Sequence, residues 1–174
     1  MRNPTGRPAR GLGILETLLV LFIAGLVIAG ALLLYDRAQN VRMTNDLIIE
    51  MNDIVLAVHK AYPSGRYDDL QVSDIKNLLP AKYVLSDGTL TNPWHNMVVV
   101  YPNGPNAFFV VMYGMPKSSC MQLSAIHMDT FPTIKGVQIN TWQDNPFEGG
   151  SLTVPQLTQA CRDSTFNMFA YTSL

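Results

Sequence analysis

From Arg10 to Tyr35 the chain reads RGLGILETLLVLFIAGLVIAGALLLY, and this apolar run is the natural place to begin. The 19 residues from Thr17 to Tyr35 carry no charge, which is long enough to cross the hydrocarbon core of a membrane as a helix. A helix is expected because every backbone N–H and C=O inside a membrane must pair within its own segment. Basic residues precede the run and predict that this end stays in the cytoplasm: Arg2, Arg7 and Arg10. The chain from Asp36 onward is therefore predicted to lie on the other side.

Glu16 is the one charged side chain between Leu12 and Tyr35. A charge at the centre of a spanning helix costs about 2.5–3.5 kcal/mol on insertion scales, and less near the end of the helix. If the chain were cut between Gly11 and Leu12, a new α-amino group would begin the apolar helix and Glu16 would be its fifth residue. We expect that amine on one subunit to pair with Glu16 on its neighbour, because each charge offsets the desolvation of the other.

A glycine, an apolar residue after it and a glutamate at the fifth apolar position, behind a short basic leader, resemble the class III signal of type IV pilins. The resemblance implies that prepilin peptidase cuts after Gly11 and that the new terminus, Leu12, is N-methylated. An ordinary secretory signal is instead cut after its apolar core, behind small residues. The plain alternative is an uncut single-pass anchor with Glu16 in the headgroup region.

Size and composition leave room for one modest globular domain beyond the membrane segment. We expect a cleaved leader at 1–11, a transmembrane and polymerisation helix at 12–35, and a globular domain at 36–174 that includes the second half of the long helix. Only 14% of the residues are charged and the net charge is −1. The chain therefore lacks the basic footprint of a nucleic-acid binder, and no nucleic-acid partner is predicted.

The helical pattern continues past Tyr35, becomes amphipathic, and is predicted to end near Ala61, before Pro63 and Gly65. Residues at steps of three and four form a stripe that should pack on the globular domain, namely Val41, Thr44, Ile48, Met51, Val55, Val58 and Tyr62, widened by Leu47, Ile54 and Ala61. The polar face is predicted to hold Arg42, Asn45, Asp46, Glu50, Asn52, Asp53 and Lys60.

Downstream, the sequence predicts short helices and antiparallel strands. A short helix is expected at 73–79, with Ser73 as its N-cap and Pro80 ending it. Runs of β-branched and aromatic residues predict strands at 97–101 and 107–113, joined as a hairpin. Further helices are expected at 116–128 and 153–161, a third strand at 133–142 and a closing strand at 165–172.

This order of elements again resembles the type IV pilins, and most closely their type IVb branch, which includes toxin-coregulated pilin, bundlin and the thin-pilus pilins of conjugative plasmids. Four local segments carry the likeness: LLPAKYV (78–84), TNPWHNMVVVY (91–101), KSSCMQL (117–123) and LTQAC (157–161). The resemblance implies an α+β fold, in which a long N-terminal helix, transmembrane and then amphipathic, packs on an antiparallel sheet with a disulfide-bounded C-terminal region. Two features depart from the branch: the leader is short, and His95-Asn96 stands where glycines are expected.

The two cysteines, Cys120 and Cys161, both fall in the part predicted to lie outside the cytoplasm, where such a pair forms a disulfide. Closing a loop of that size contributes about 4 kcal/mol in the chain-entropy description. The alternative is a catalytic thiol with His127 as its base. Catalysis by such a pair needs hydrogen-bond reach and a third group that orients the base, and no local signature supports it.

No other catalytic, metal or cofactor site is predicted. The histidines are scattered, without partners at metal-ligand spacing, and are expected on the surface or in packing: His59, His95 and His127. Three loop aspartates lack the alternating oxygen pattern of a calcium loop: Asp68, Asp69 and Asp144. We therefore expect neither an enzyme nor a bound cofactor.

The resemblance implies a structural subunit of a type IV pilus, a homo-oligomeric helical filament built through the N-terminal helix. Its precursor would wait in the bacterial inner membrane until prepilin peptidase and the pilus assembly machinery deliver it to an extracellular pilus. A minor pilin or a type II secretion pseudopilin is the nearest alternative, and a membrane-anchored periplasmic enzyme or binding module is the alternative from another class. Roles in adhesion, conjugation, DNA uptake and aggregation all stay open.

Overall fold

The structure, a computed structural model, describes residues 13–124, 134–140, 154–162 and 167–174. In chain order its helices and strands are α1 (Ile14–Ala61), α2 (Val72–Ile75), β1 (Leu90–Thr91), β2 (Met97–Pro102), β3 (Phe108–Met115), α3 (Lys117–Ser124), β4 (Ile134–Ile139), α4 (Val154–Ala160) and β5 (Asn167–Ser173). Two 3-10 turns, Lys76–Leu78 and Ala81–Tyr83, lie between α2 and β1. The chain divides into two compact units between Gln39 and Asn40.

Helix α1 is unbroken over 48 residues, which confirms the prediction that the helix continues past Tyr35 and ends at Ala61. Within the second unit, its buried residues share one face: Thr44, Leu47, Glu50, Met51, Ile54, Val55, Ala57 and Val58. The predicted stripe is wrong at Val41, which is 46% exposed. Val41 lies at the edge of the buried face and in the first turn of the unit, so packing is weakest there.

The five strands form one antiparallel sheet in the order β1-β2-β3-β5-β4. The predicted hairpin of β2 and β3 is confirmed, with Val100 opposite Val110. The C-terminal strand β5 lies between β3 and β4, where Ala170 faces Val111 on one side and Gln138 on the other. The last residues of the chain therefore occupy an interior position of the sheet. The two-residue strand β1 was not predicted.

One face of the sheet packs against the buried face of α1. Alternate residues of the central strands point into this core, because side chains alternate between the two faces of a strand: Val98, Val100, Phe108, Val110, Met112, Phe169 and Tyr171. They meet Leu47, Met51 and Ile54 of α1. The hydroxyl of Tyr171 also donates a hydrogen bond to the carbonyl of Met51 at 3.2 Å. The predicted α+β fold, a helix packed on an antiparallel sheet, is thus confirmed.

The short helix after Tyr67 begins one residue before Ser73, so the predicted N-cap is wrong. Gln71 is the N-cap, and its backbone N–H donates to the carboxylate of Asp74 at 3.2 Å. The hydroxyl of Ser73 is instead bonded to the same carboxyl group, at 3.1 Å. The predicted end is confirmed: Leu79 is extended, as expected of a residue that precedes proline.

The turn between β1 and β2 keeps a left-handed residue although it lacks glycine. His95 has φ 58°, in the region that glycine normally fills. The side-chain oxygen of Asn92 holds the turn, since it accepts hydrogen bonds from the backbone N–H groups of Trp94 at 3.0 Å and Asn96 at 3.1 Å. A short polar side chain thus stabilises a conformation that a glycine would adopt freely.

Gly114 on β3 lies directly against this turn. It has φ 70°, and a Cβ at this position would sit 2.2 Å from the side-chain carbon Cγ of Asn96. The amide of Asn96 donates to the carbonyl of Gly114 at 3.1 Å. The contact leaves no room for a side chain.

We expect Gly114→Ala to destabilise the chain more than Gly104→Ala. Gly104 has φ 75° with no atom within 4 Å of a built Cβ, so its substitution measures the left-handed conformation alone, about 1–2 kcal/mol. Gly114→Ala adds overpacking against Asn96, about 1–3 kcal/mol more. Denaturant unfolding of both full-length variants in detergent gives the two free energies. Equal losses would contradict the close contact.

Candidate functional site

The part of α1 in the first unit presents bare apolar side chains to its surroundings. Ile14 is 81% exposed and Phe22 is 65% exposed, and the leucines between them are similar. The most apolar 18-residue window of the helix has mean hydropathy 2.8 and no buried residue, so its length and composition suit a membrane span. Soluble monomers rarely expose contiguous apolar patches beyond a few hundred Å². This surface therefore needs lipid or another protein chain to cover it.

Glu16 lies in the first turn of this helix, where its backbone N–H donates to the carbonyl of Gly13 at 2.9 Å. A negative side chain is favourable at this end, since the helix dipole is positive there. The hydroxyl of the neighbouring Thr17 donates a hydrogen bond to the carbonyl of Ile14 at 2.8 Å. In the described part of the chain Glu16 makes no ion pair, as Arg66–Asp68 is the salt bridge found there.

Two of the predicted site residues, Gly11 and Leu12, lie outside the described residues. The cleavage position and the N-methylation of Leu12 therefore stay predictions. So does the pairing of Glu16 with a neighbouring subunit.

The predicted disulfide is present: Cys120 and Cys161 are bonded, with their Cα atoms 5.9 Å apart. It joins α3 to the residue that follows α4, and both cysteines are buried. A bonded cysteine has no free thiol, so a nucleophilic role for Cys120 does not fit this structure. His127, its suggested base, lies outside the described residues.

Two asparagines that the sequence analysis did not single out hold the chain beside this disulfide. Asn167 on β5 is fully buried, and its side-chain amide donates to the carbonyls of Met115 at 3.1 Å and Arg162 at 3.2 Å. Its side-chain oxygen accepts the backbone N–H of Arg162 at 2.7 Å. Both backbone groups of Arg162, the residue after Cys161, are therefore hydrogen-bonded to Asn167 on β5.

Asn140 forms a hydrogen bond with Ala160, the residue that precedes Cys161. Its amide donates to the carbonyl of Ala160 at 2.7 Å and to the side-chain oxygen of Asn167 at 2.8 Å. Asn140 has φ 53° at the end of β4, a conformation that asparagine tolerates better than most residues. Asn140 fell inside the strand predicted at 133–142, whereas the observed strand ends one residue before it, and its partners are distant in sequence.

Glu50 was predicted on the polar face of α1 and is instead fully buried. It follows Leu47 by three positions and precedes Ile54 by four, which places it on the buried face. Both carboxyl oxygens lack a hydrogen-bond partner. Burial is the main reason that the pKa of Glu50 rises from 4.5 to about 8, with Lys82 lowering it and Asp53 raising it further.

His59 has a packing role. Its Nδ1 lies 3.0 Å from the hydroxyl of Tyr67, and its ring meets Phe108 edge-on at 5.9 Å. Among the described residues, no three His, Cys, Asp or Glu side chains are grouped as metal ligands.

Replacing Asn167 with alanine should cost the folded state at least about 2 kcal/mol, because each buried polar group left without its partner costs about 1–3 kcal/mol. Asn52→Ala is the matched control. The amide of Asn52 bonds at 3.1 Å to a carbonyl of its own helix at an exposed site, so its loss should change stability little. Chemical unfolding of the full-length variants in detergent gives both values. Equally small losses would show that the buried network contributes nothing.

No family model matches the chain. Among curated proteins it is similar to the major structural subunit of bundle-forming pilus from Escherichia coli O111:H- and from Escherichia coli O127:H6 (strain E2348/69 / EPEC). It is 24% identical to each over 143 residues, which cover 78% of this chain and 73% of the relative.

Two solved structures are also similar. Type IVb pilin from Salmonella typhi has 20% identity and a TM-score of 0.48, covering 70% of this chain and 94% of that one. TcpA, a type IV pilin from Vibrio cholerae El Tor biotype, has 14% identity and a TM-score of 0.49, covering 78% and 99%. The sequence relatives are named as pilus subunits, which confirms the likeness to pilins that the sequence analysis predicts.

Proposed function

We propose that this chain is a structural subunit of a type IV pilus, which polymerises into a filament through the first half of α1. The observation that carries the proposal is the bare apolar surface of residues 14–39, whose apolar side chains are all exposed. The similar Escherichia coli proteins are named as structural subunits of a pilus, and they span most of this chain. A homo-oligomeric filament accounts for both observations.

The apolar surface serves in two environments. In a membrane, lipid tails cover it. In a filament, the same helices cover one another, and association between helices taken from lipid depends on van der Waals packing and not on the hydrophobic effect. A subunit therefore moves from membrane to filament with little net exposure of apolar surface. We propose residues 12–35 as the membrane and polymerisation segment and 36–174 as the globular domain.

Removal of a leader at 1–11 by prepilin peptidase creates the terminus that the filament needs. The new amine of Leu12 begins the helix, and Glu16 lies in its first turn. Both charges are costly away from water, and each offsets the cost of the other when they pair between neighbouring subunits. The pair sets the axial register, and subunits added head to tail with a rotation that does not close produce an open helical fibre.

The apolar surface and the disulfide also support two locations for the subunit, one before assembly and one after it. The precursor waits in the bacterial inner membrane with its basic leader in the cytoplasm, and the assembly machinery extracts it into an extracellular filament. The Cys120–Cys161 disulfide supports an oxidising location for the domain, because such bonds are rare in the cytosol.

We expect Glu16→Val to abolish filaments while leaving membrane insertion intact. Without the carboxylate, the amine of Leu12 would be buried unpaired, at a cost of about 3–5 kcal/mol. That corresponds to at least about a 100-fold loss in subunit addition. Filaments sheared from cells are counted by electron microscopy and immunoblotting, and the subunit is measured in isolated membranes.

Thr17→Val is the matched control. It removes a neighbouring polar group that bonds only within its own helix, so piliation should persist. Normal piliation by Glu16→Val would rule out the charge pair.

Mass spectrometry of the mature N-terminus tests the processing step. We expect the chain recovered from filaments to begin at methylated Leu12. A chain that retains Met1 in the filament would contradict the proposed leader, whatever the outcome for Glu16.

A further inference from the structure

A buried carboxyl group lies inside the globular domain, outside the apolar segment 14–39. Glu50 is 0% exposed, and neither carboxyl oxygen has a hydrogen-bond partner. An ionised carboxylate in such a place loses its hydration without compensation, so the carboxyl is held in its neutral form. The fold has enclosed a titratable group that no other part of the proposed function uses.

Charged and titratable groups act on Glu50 from three elements. Asp53 lies one turn further along α1, Lys82 and Tyr83 lie on the 81–83 turn, and Tyr171 lies on β5. Tyr171 is committed elsewhere, because its hydroxyl bonds to the carbonyl of Met51. Asp53 repels a second negative charge. Lys82 is thus the cation available to an ionised Glu50.

The 81–83 turn is the shortest of these three elements, and Val84, the residue that follows it, is bridged to Leu90. Its backbone is closed by two hydrogen bonds, from Tyr83 N–H to the Pro80 carbonyl at 3.0 Å and from Val84 N–H to the Ala81 carbonyl at 3.2 Å. Two of its residues, Ala81 and Lys82, are exposed, and Tyr83 alone is buried. By contrast, β5 is paired on both sides and α1 is a long helix. Segments with few buried contacts and exposed backbone open first.

Lys82 is placed to follow such an opening. Its ammonium group lies 4.6 Å from the centre of the Tyr83 ring. Lys82 and Tyr83 would therefore move together if the turn opened. In the part of the chain that the structure describes, no carboxylate forms a contact ion pair with Lys82, although Tyr83 first, and then Asp46 and Asp53, raise the pKa of its ammonium group.

We propose that Glu50 and the 81–83 turn form a pH-sensitive latch, which is closed while the carboxyl keeps its proton and opens when the carboxyl ionises. In the open state, water and the Lys82 ammonium stabilise the carboxylate. The latch is a property of the domain and does not depend on filament assembly.

The direction and range follow from proton linkage. In the closed form the pKa of Glu50 is raised to about 8, whereas a solvated glutamate has the ordinary value of 4.5. Between these values the open form binds fewer protons, so raising the pH favours opening by up to about tenfold per pH unit. Below the lower value and above the higher one, the dependence disappears.

Hydrogen exchange of the full-length protein in detergent micelles tests the latch between pH 5 and 8. After correction for intrinsic exchange, protection of the Tyr83 and Val84 amides should fall by up to about tenfold per pH unit. The amide of Asn103, bonded to the Ala107 carbonyl at 2.8 Å in the β2–β3 turn, is the internal reference and should keep its protection. An equal fall at Asn103 would mean global unfolding and overturn the proposal.

Glu50→Gln should remove the pH dependence at Tyr83 and Val84, since the amide is close in shape and does not ionise. Asp53→Asn, which removes a carboxylate one turn away, should retain it. A wild-type dependence in Glu50→Gln would overturn the proposal.

Lys82→Met is a second test that leaves the buried carboxyl in place. With its counter-charge gone, the open state should be less populated, and protection of Tyr83 at pH 8 should exceed that of the wild type. Unchanged protection would contradict the role of Lys82. This variant alters an exposed side chain, so it also serves if Glu50→Gln fails to fold.

Discussion

The bare apolar side chains of residues 14–39 are the constraint on which the rest of this chain depends. Water cannot be their permanent neighbour, so either lipid or other copies of the helix must cover them. Lipid and a neighbouring apolar helix are similar surroundings for such a surface, so either can cover it with little difference in apolar exposure. Glu16 is the one charged side chain in the apolar run that ends at Tyr35. In the proposed filament, its pairing with the amine of a neighbouring subunit would set the direction and register of packing that apolar contacts alone leave loosely specified.

The second half of the same helix differs from the first because it has a buried face. From Asn40 onward α1 has a buried face, and the sheet packs against it. The sheet is completed by its last strand, because β5 lies between β3 and β4. The full set of strand pairings therefore cannot form until residues 167–173 are present, and such non-local pairing is slow to form. The disulfide and the two asparagines beside it fix residues 160–162.

Glu50 shows that the core is not optimised for stability alone. A leucine or methionine on this face of α1 would avoid the cost of a buried, unpartnered carboxyl. The group instead makes the local structure responsive to pH, since its pKa is raised by burial. The neighbouring turn is short and exposed, so the response is confined to a small part of the domain.

Local pattern was sufficient for much of the fold. The length of the apolar run, the end of α1 at Ala61, the β2–β3 hairpin and the candidate cysteine pair could all be read from the sequence, because each depends on residues close together or on their chemical type. The place of Glu16 among apolar residues also needed no coordinates. Tertiary structure alone decided the insertion of β5, the burial of Glu50 and the exposure of Val41. It also decided the pairing of Asn140 with Asn167. Those features depend on which distant segments pack together, and helical or strand periodicity does not contain that information.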